Sequence, residues 1–206
     1  YSTAHIAHIW LAYCKMESQM TNTALVIIDM QNDHVLPEIY APNQSTFEIL
    51  PKLQQLLNHF RSKKQHVFHV IRAYRADGSD VEFMREDSFK KRPRCVPGTH
   101  GYEIPTQLAP LSDEYIVTKP RFSAFMGTEF DFLLRRLQID HLVIAGTQAP
   151  NCVRCTIYDA ISLEYRVTAI PDAIAARNPE VHTANITDFK NLGVPCLNVQ
   201  EFIQGN

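Results

Sequence analysis

Three side chains in this 206-residue sequence are of the types that together perform nucleophilic hydrolysis: Asp29, Lys119 and Cys152. A thiol at the start of a helix feels the positive end of the helix dipole, and a nearby lysine lowers its pKa further. A carboxylate within reach can take the thiol proton and return it to a leaving group. Each residue also has a plain structural alternative. An aspartate at a strand end commonly serves a turn, a lysine there commonly points to solvent, and a helical cysteine is commonly core filler. What decides between these is whether the surrounding elements bring the three together.

Those elements are legible from Thr21 onward. Apolar runs of strand length alternate with helical patterns, the mark of a parallel α/β sheet. Strands are expected at 24–29 (ALVIID), 66–72 (HVFHVIR), 115–119 (YIVTK), 141–146 (HLVIAG), 166–170 (RVTAI) and 194–199 (VPCLNV). Several are near-continuous apolar runs, as for strands covered on both faces. The pattern predicts an α/β, three-layer, doubly wound domain over 21–206 with a mostly parallel six-stranded sheet. Ligands in such folds bind beyond the carboxyl ends of the strands. Reactive residues therefore belong just after Asp29, Arg72, Lys119 and Gly146. Asp29 and Lys119 end the first and third strands, and Cys152 follows the fourth where a helix begins.

The helices carry their own signals. Leu50, Leu53, Leu57 and Phe60 recur at spacings of three and four, with Pro51 suited to a first turn. Thr128 is placed as an N-cap before the stripe Phe130, Leu133, Leu134 and Leu137. Val153, Ile157, Ala160 and Ile161 share one face of the helix after Cys152. Asn178 caps a helix with Pro179 in its first turn, and Gly193 stands where a left-handed C-cap is wanted. The longest irregular stretch, 73–113, is rich in Pro, Gly and charge, and a loop of that length is more often functional than idle.

Composition narrows the classes. Hydrophobic residues make up 45% and charged residues 20%, which excludes a disordered chain. Twenty Lys plus Arg stand against 22 Asp plus Glu, for a net charge of −2, so no basic footprint for nucleic acid or an anionic membrane is present. The basic run 90–94 (KKRPR) reads as a solvated loop, because Glu82, Glu86 and Asp87 lie nearby and no aromatics interleave it. No stretch reaches the ~18–20 apolar residues of a membrane-spanning helix. Five scattered cysteines (Cys14, Cys95, Cys152, Cys155, Cys196) point to a reducing compartment, hence a cytoplasmic location. Residues 1–20 lack the flanks of a signal peptide and are read as an N-terminal extension, non-native or without fixed structure, with a docked amphipathic helix as the alternative.

Three blocks carry a family resemblance in order: ALVIIDMQND, VTKPRFSAF and LVIAGTQAPNCVRCTIYDA. From about Thr23 to Val199 the sequence resembles the isochorismatase-like cysteine hydrolase superfamily, which includes nicotinamidases and N-carbamoylsarcosine amidases. The resemblance implies a catalytic triad of Cys152, Asp29 and Lys119, and a cis peptide between Thr147 and Gln148. It further implies an oxyanion hole from the backbone N–H groups of Gln148 and Cys152. The implied function is a cysteine-dependent hydrolase (an amidohydrolase) that cleaves a small amide or carbamoyl C–N bond through a thioester. Assembly as a homo-oligomer, a dimer or larger, is implied as well.

Departures from the family pattern shape the expectation. Nicotinamidases supply an Asp and two His for a zinc-type ion in the loop after the second strand, whereas IRAYRADGSDVEF contains no histidine. His66 and His69 lie on opposite faces of a strand and cannot share an ion. The expectation is a metal-independent enzyme with no cofactor. Gln148 replaces the usual small residue, and His34 stands where many relatives have an aromatic. Tyr74, Phe125, Tyr158 and Arg121 are the candidates for substrate binding. Cys155, one turn from Cys152, is either packing or a resolving thiol. The alternatives are an isochorismatase-type ether hydrolase, a ribonuclease-labelled or nucleic-acid-binding relative, and a non-catalytic member of the fold.

Overall fold

The computed structural model describes residues 22–36 and 44–205. The reading of 1–20 as an extension lies outside the described residues. The elements run β1 (Thr23–Ile28), α1 (Asn32–Val35), α2 (Gln44–Glu48), α3 (Leu50–Ser62), β2 (His66–Arg72), α4 (Glu86–Lys91), β3 (Tyr115–Lys119), α5 (Phe130–Arg136), β4 (His141–Thr147), α6 (Arg154–Ser162), β5 (Arg166–Ala175), α7 (Pro179–Asn191) and α8 (Val199–Gly205).

The strands form one parallel sheet in the order β3-β2-β1-β4-β5. It has five strands, not six. The run 194–199 contributes only a single parallel bridge, Ala169 to Cys196, before α8 begins at Val199. β5 is longer than expected and reaches Ala175, with an irregular register against β4 between Ile144 and Gly146. Chain progression reverses between β1 and β4, the switch point at which open α/β sheets hold ligands.

Side-chain alternation along β1 sends Ala24, Val26 and Ile28 to one face and Leu25 and Ile27 to the other, all buried. The first face packs under α5, α6 and α7 through Phe130, Leu134, Ile157, Ala160, Ile186 and Phe189. The second packs under α3 and α8, where Phe60 and Phe202 stack with centroids 5.7 Å apart. Ile161, expected on the buried face of α6, is 37% exposed, whereas Val153, Ile157 and Ala160, at spacings of four and three, are fully buried. The N-cap of α7 is as expected: Asn178 accepts from the Val181 N–H at 2.9 Å. Thr128 instead accepts from the Phe130 N–H at 3.2 Å while donating to the Ala124 carbonyl, and Glu129 occupies the N-cap of α5.

The 73–113 stretch is not featureless. It contains α4 and three short 3-10 turns, and the sequence just after β1 ties it down. Gln31 donates to the carbonyls of Arg72 and Tyr102 and accepts from the Arg72 N–H. Asn32 donates to the His100 carbonyl, and Asp33 accepts from the Cys95 N–H. A Cβ on Gly101 would overlap the Asp33 carboxylate, so the loop can approach this closely only with glycine there.

Candidate active site

The active edge of the sheet starts at Asp29, which leaves β1 with a left-handed backbone (φ 51°) and donates its N–H to the Val70 carbonyl at 2.8 Å. Its side chain is buried, and Oδ2 accepts from Lys119 Nζ at 2.9 Å. Lys119 is itself fully buried and also donates to the Arg121 carbonyl at 3.1 Å. β3 and β1 are not adjacent. The lysine reaches across β2 because parallel register aligns the strand ends, with Arg72 paired to Lys119.

Across the switch point, β4 ends in Gly146 (φ 114°) and a cis peptide joins Thr147 to Gln148. A Cβ on Gly146 would overlap the Ile28 carbonyl oxygen, so close approach of β4 to the strand carrying Asp29 requires glycine. A π-helical turn, Ala149–Val153, then delivers Cys152 and runs into α6. Thr156 anchors it, donating to the Cys152 carbonyl at 2.7 Å and accepting from the Ala124 N–H at 3.0 Å. That last bond ties α6 to the segment following Lys119.

Asp29, Lys119 and Cys152 thus converge on one point. Burial raises the Asp29 pKa, but Lys119 and then Arg72 outweigh it and hold the carboxyl below its usual range. The Cys152 thiol shifts the other way: burial and the Asp29 carboxylate push it up, against the pull of Lys119 and Arg72. The helix start and lysine were expected to lower it. Desolvation of a thiolate beside a fixed carboxylate wins instead, so the resting pair is carboxylate and thiol. Asp29 Oδ1 has no hydrogen-bond partner of standard geometry among the described residues and lies near enough to the thiol for each to shift the other's titration.

A cavity of about 230 Å³ opens above Cys152, lined also by Asp29, His34, Arg72, Arg85, Arg94, Thr147, Gln148, Asn151 and Arg177. Gln148 therefore meets the cavity. The expected wall of Tyr74, Phe125, Tyr158 and Arg121 does not. Tyr74 is buried one layer behind, where it accepts from Arg72 Nη1 at 2.7 Å and donates to Glu82 Oε2 at 2.6 Å. Phe125 packs between Phe130 and Tyr165 in the core. Tyr158 is drawn aside by Arg154, and Arg121 donates to the carbonyls of Asp80 and Pro120. Tyr74 and Phe125 are thus taken up by packing, and Tyr158 and Arg121 by polar contacts.

Arg72 is the residue that sequence reasoning passed over. It ends β2, is 1% exposed, pairs with Glu82 at 2.8 Å and donates Nη2 to the Cys152 sulfur at 3.5 Å. Burial alone would favour its neutral form, but the Asp29 carboxylate beside it keeps it firmly protonated. A charged residue closing an apolar strand at the active edge was the available signal. Arg94 also departs from expectation: the basic run 90–94 is largely exposed, yet its last residue lines the cavity. Among the described residues, no group of three or more His, Cys, Asp or Glu is placed to hold a metal ion. Likewise, no helix is long and apolar enough to cross a membrane.

Residues 23–201 match the model of the isochorismatase domain. The chain belongs to the isochorismatase family. This isochorismatase-family chain is 38% identical over 191 residues to a probable inactive nicotinamidase of Arabidopsis thaliana, covering 91% of this chain and 97% of the relative. It is 30% identical over 175 residues to an N-carbamoylsarcosine amidase of Arthrobacter, covering 82% of this chain and 65% of that protein. Among solved structures, an isochorismatase family protein from Desulfovibrio vulgaris superposes with a TM-score of 0.84 at 46% identity, covering 87% of this chain and 95% of that one. These matches support a hydrolase of the family with amide-hydrolysing relatives.

Proposed function

We propose that this family hydrolase cleaves a small amide or carbamoyl C–N bond with Cys152 as nucleophile. The observation that carries the reading is the buried Asp29–Lys119 pair beside Cys152, with Asp29 and Cys152 lining one cavity and Arg72 directed at the sulfur.

Asp29, held ionised by Lys119 and Arg72, takes the thiol proton as Cys152 Sγ attacks the carbonyl carbon. Arg72 faces the sulfur and stabilises the developing thiolate. Backbone N–H groups of Gln148 and Cys152 receive the negative charge on the tetrahedral oxygen. The C–N bond breaks as Asp29 passes its proton to the departing nitrogen, which leaves as ammonia or an amine and a thioester remains. Asp29 then deprotonates a water molecule, whose oxygen adds to the thioester carbon. The C–S bond breaks, the proton returns to sulfur, and the acid is released.

The test is ammonia release from a panel of small amides and ureides by wild type, Cys152→Ala and Asp29→Asn. Turnover of at least one compound is expected, abolished in both variants. Absence of release from every compound, with Cys152 still alkylated by iodoacetamide, would overturn the reading.

A further inference from the structure

A second thiol stands one helical turn behind the cysteine that lines the cavity. Only Val153 and Arg154 separate Cys152 from Cys155, a C-x-x-C spacing set where a strand gives way to a helix, which is the local arrangement of dithiol redox pairs. Cys152 lies in the π-helical turn Ala149–Val153 and Cys155 in the first turn of α6. Three residues of helix separate two Cα atoms by about 5 Å, inside the roughly 4.4–6.8 Å that a disulfide spans. Cβ atoms so spaced are ~5–6 Å apart, so closing the bond takes a rotamer change and an approach of about 1–2 Å where the turn meets the helix.

The two sulfurs share their electrostatic surroundings. Burial raises the Cys155 pKa and Asp159 adds to this, while Lys119, Arg154 and Arg72 pull it down. Lys119 and Arg72 act on Cys152 as well. The Cys155 thiol is half-buried and makes no hydrogen bond among the described residues. The other described cysteines are engaged elsewhere. Cys95 is fully buried with Sγ 3.3 Å from Nε2 of His34, an imidazole that burial keeps neutral down to about pH 4. Cys196 directs its thiol to the Val194 carbonyl at 3.4 Å, outside the edge strand β5.

Cys152 also has what attack on a peroxide requires. Asp29 stands by to take the thiol proton, and Arg72 Nη2, 3.5 Å from the sulfur, is placed to donate to the oxygen under attack. We propose that Cys152 is a site of reversible oxidation by hydrogen peroxide, with Cys155 as the resolving thiol that closes a disulfide and shuts off hydrolysis.

In the first step Asp29 takes the Cys152 proton, the sulfur attacks one peroxide oxygen and the O–O bond breaks. That oxygen stays on sulfur with its hydrogen as a sulfenic acid. The other leaves as hydroxide and becomes water with the proton from Asp29. Sulfur loses two electrons and the peroxide gains them. The Cys155 sulfur then attacks the Cys152 sulfur, the S–O bond breaks, and hydroxide departs with the Cys155 proton as a second water. The disulfide halts oxidation before the sulfinic acid, which thiols do not reverse. Only the effect on turnover rests on the hydrolase reading of the same site; the disulfide itself does not.

Trypsin cleaves after Arg154 and so puts the two cysteines on separate peptides, 137–154 and 155–166. The reduced full chain is treated with graded hydrogen peroxide, blocked with N-ethylmaleimide and mapped without reduction. Wild type is expected to link the two peptides and to lose iodoacetamide labelling of Cys152, with labelling fully restored by dithiothreitol. Cys155→Ser and Cys155→Ala should label at the wild-type rate before oxidation. After it they should trap dimedone at Cys152 and, at the same peroxide dose, pass to a sulfinic acid that dithiothreitol does not reverse. Linkage of Cys152 to any cysteine other than Cys155 of its own chain, or equal sulfinic acid in wild type and variants, would overturn the proposal. Amide turnover that survives peroxide, with no linked peptides, removes the proposal and leaves the hydrolase reading standing. Linked peptides in a chain that turns over no amide or ureide do the reverse.

Discussion

Arg72, the last residue of β2, directs Nη2 to 3.5 Å from the sulfur of Cys152, 80 residues later in the chain. Its other terminal nitrogen is held by the Tyr74 hydroxyl and the Glu82 carboxylate, so the guanidinium is fixed from behind while it faces the thiol. A buried cation at that position offsets part of the cost of forming a thiolate in an apolar surround.

Replacing Arg72 with lysine keeps one charge and loses the planar fork that satisfies Tyr74, Glu82 and Cys152 together. Arg72→Lys is expected to slow iodoacetamide alkylation of Cys152 by roughly tenfold at pH 7 and to move its pH profile upward. A profile superimposable on wild type would deny Arg72 any part in thiolate formation.

Behind Arg72, the Tyr74 phenol is pushed up to about 12 by burial, with Arg72 pulling against it, and stays protonated to donate to Glu82. Tyr74→Phe removes one partner each from Arg72 Nη1 and Glu82 Oε2, while the two residues remain paired with each other. The expected cost is about 1–2 kcal/mol of stability, read as a fall in Tm of roughly 2–8 °C, together with slower Cys152 alkylation. Loss of stability alone, with alkylation intact, would make Tyr74 structural only.

Gly146→Ala should be among the most damaging single-methyl changes in the chain. The added Cβ meets the Ile28 carbonyl oxygen, and φ of 114° is foreign to alanine. The strand carrying Asp29 must shift or β4 must part from it. We expect a loss of about 2 kcal/mol or more, by the cost of backbone strain at such positions, measurable by urea unfolding, with lowered Cys152 reactivity in whatever remains folded.

His34 sets a pH dependence whose sign follows from its shift. The unfolded chain binds the proton below about 6.5, whereas the native imidazole stays neutral until about 4. Between these values the unfolded state holds more protons, so stability rises with pH across the window and falls as pH drops through it. Urea unfolding of wild type should therefore weaken more between pH 7 and pH 5 than that of His34→Gln. Equal pH slopes for the two proteins would show that the His34 pKa is not depressed in the native state.

The strand ends were legible because period and apolarity decide where a buried parallel strand runs, and the residue that closes it must face the active edge. Asp29, Lys119 and the turn delivering Cys152 follow from that rule; it marks the end of β2 as well, but a strand-end arginine has the same local sequence whether it faces solvent or a thiol, so the role of Arg72 does not follow from it. The run 194–199 has the same apolar texture as a strand, but it makes only the Ala169–Cys196 bridge and then turns into α8. Local pattern does not distinguish a strand from an extended connector when the deciding factor is how many ladder bonds the neighbour offers.

From sequence alone came the α/β layering, the order of strands along the chain and the placing of Asp29, Lys119 and Cys152 at one edge of the sheet, since these depend on short-range periodicity and on the geometry shared by all parallel sheets. Only tertiary structure decided the cavity wall and its charge. Arginine in a solvated loop and arginine lining a pocket have the same local sequence, and a long flexible side chain reaches its partner through folded space. Arg85, Arg94 and Arg177 meet across three loops, while Tyr74, Phe125, Tyr158 and Arg121 withdraw into packing or backbone contacts. Which of two such groups faces the ligand depends on how the 73–113 stretch folds back onto the sheet, and Gln31, Asn32 and Asp33 fix that through hydrogen bonds to residues 40 or more positions away.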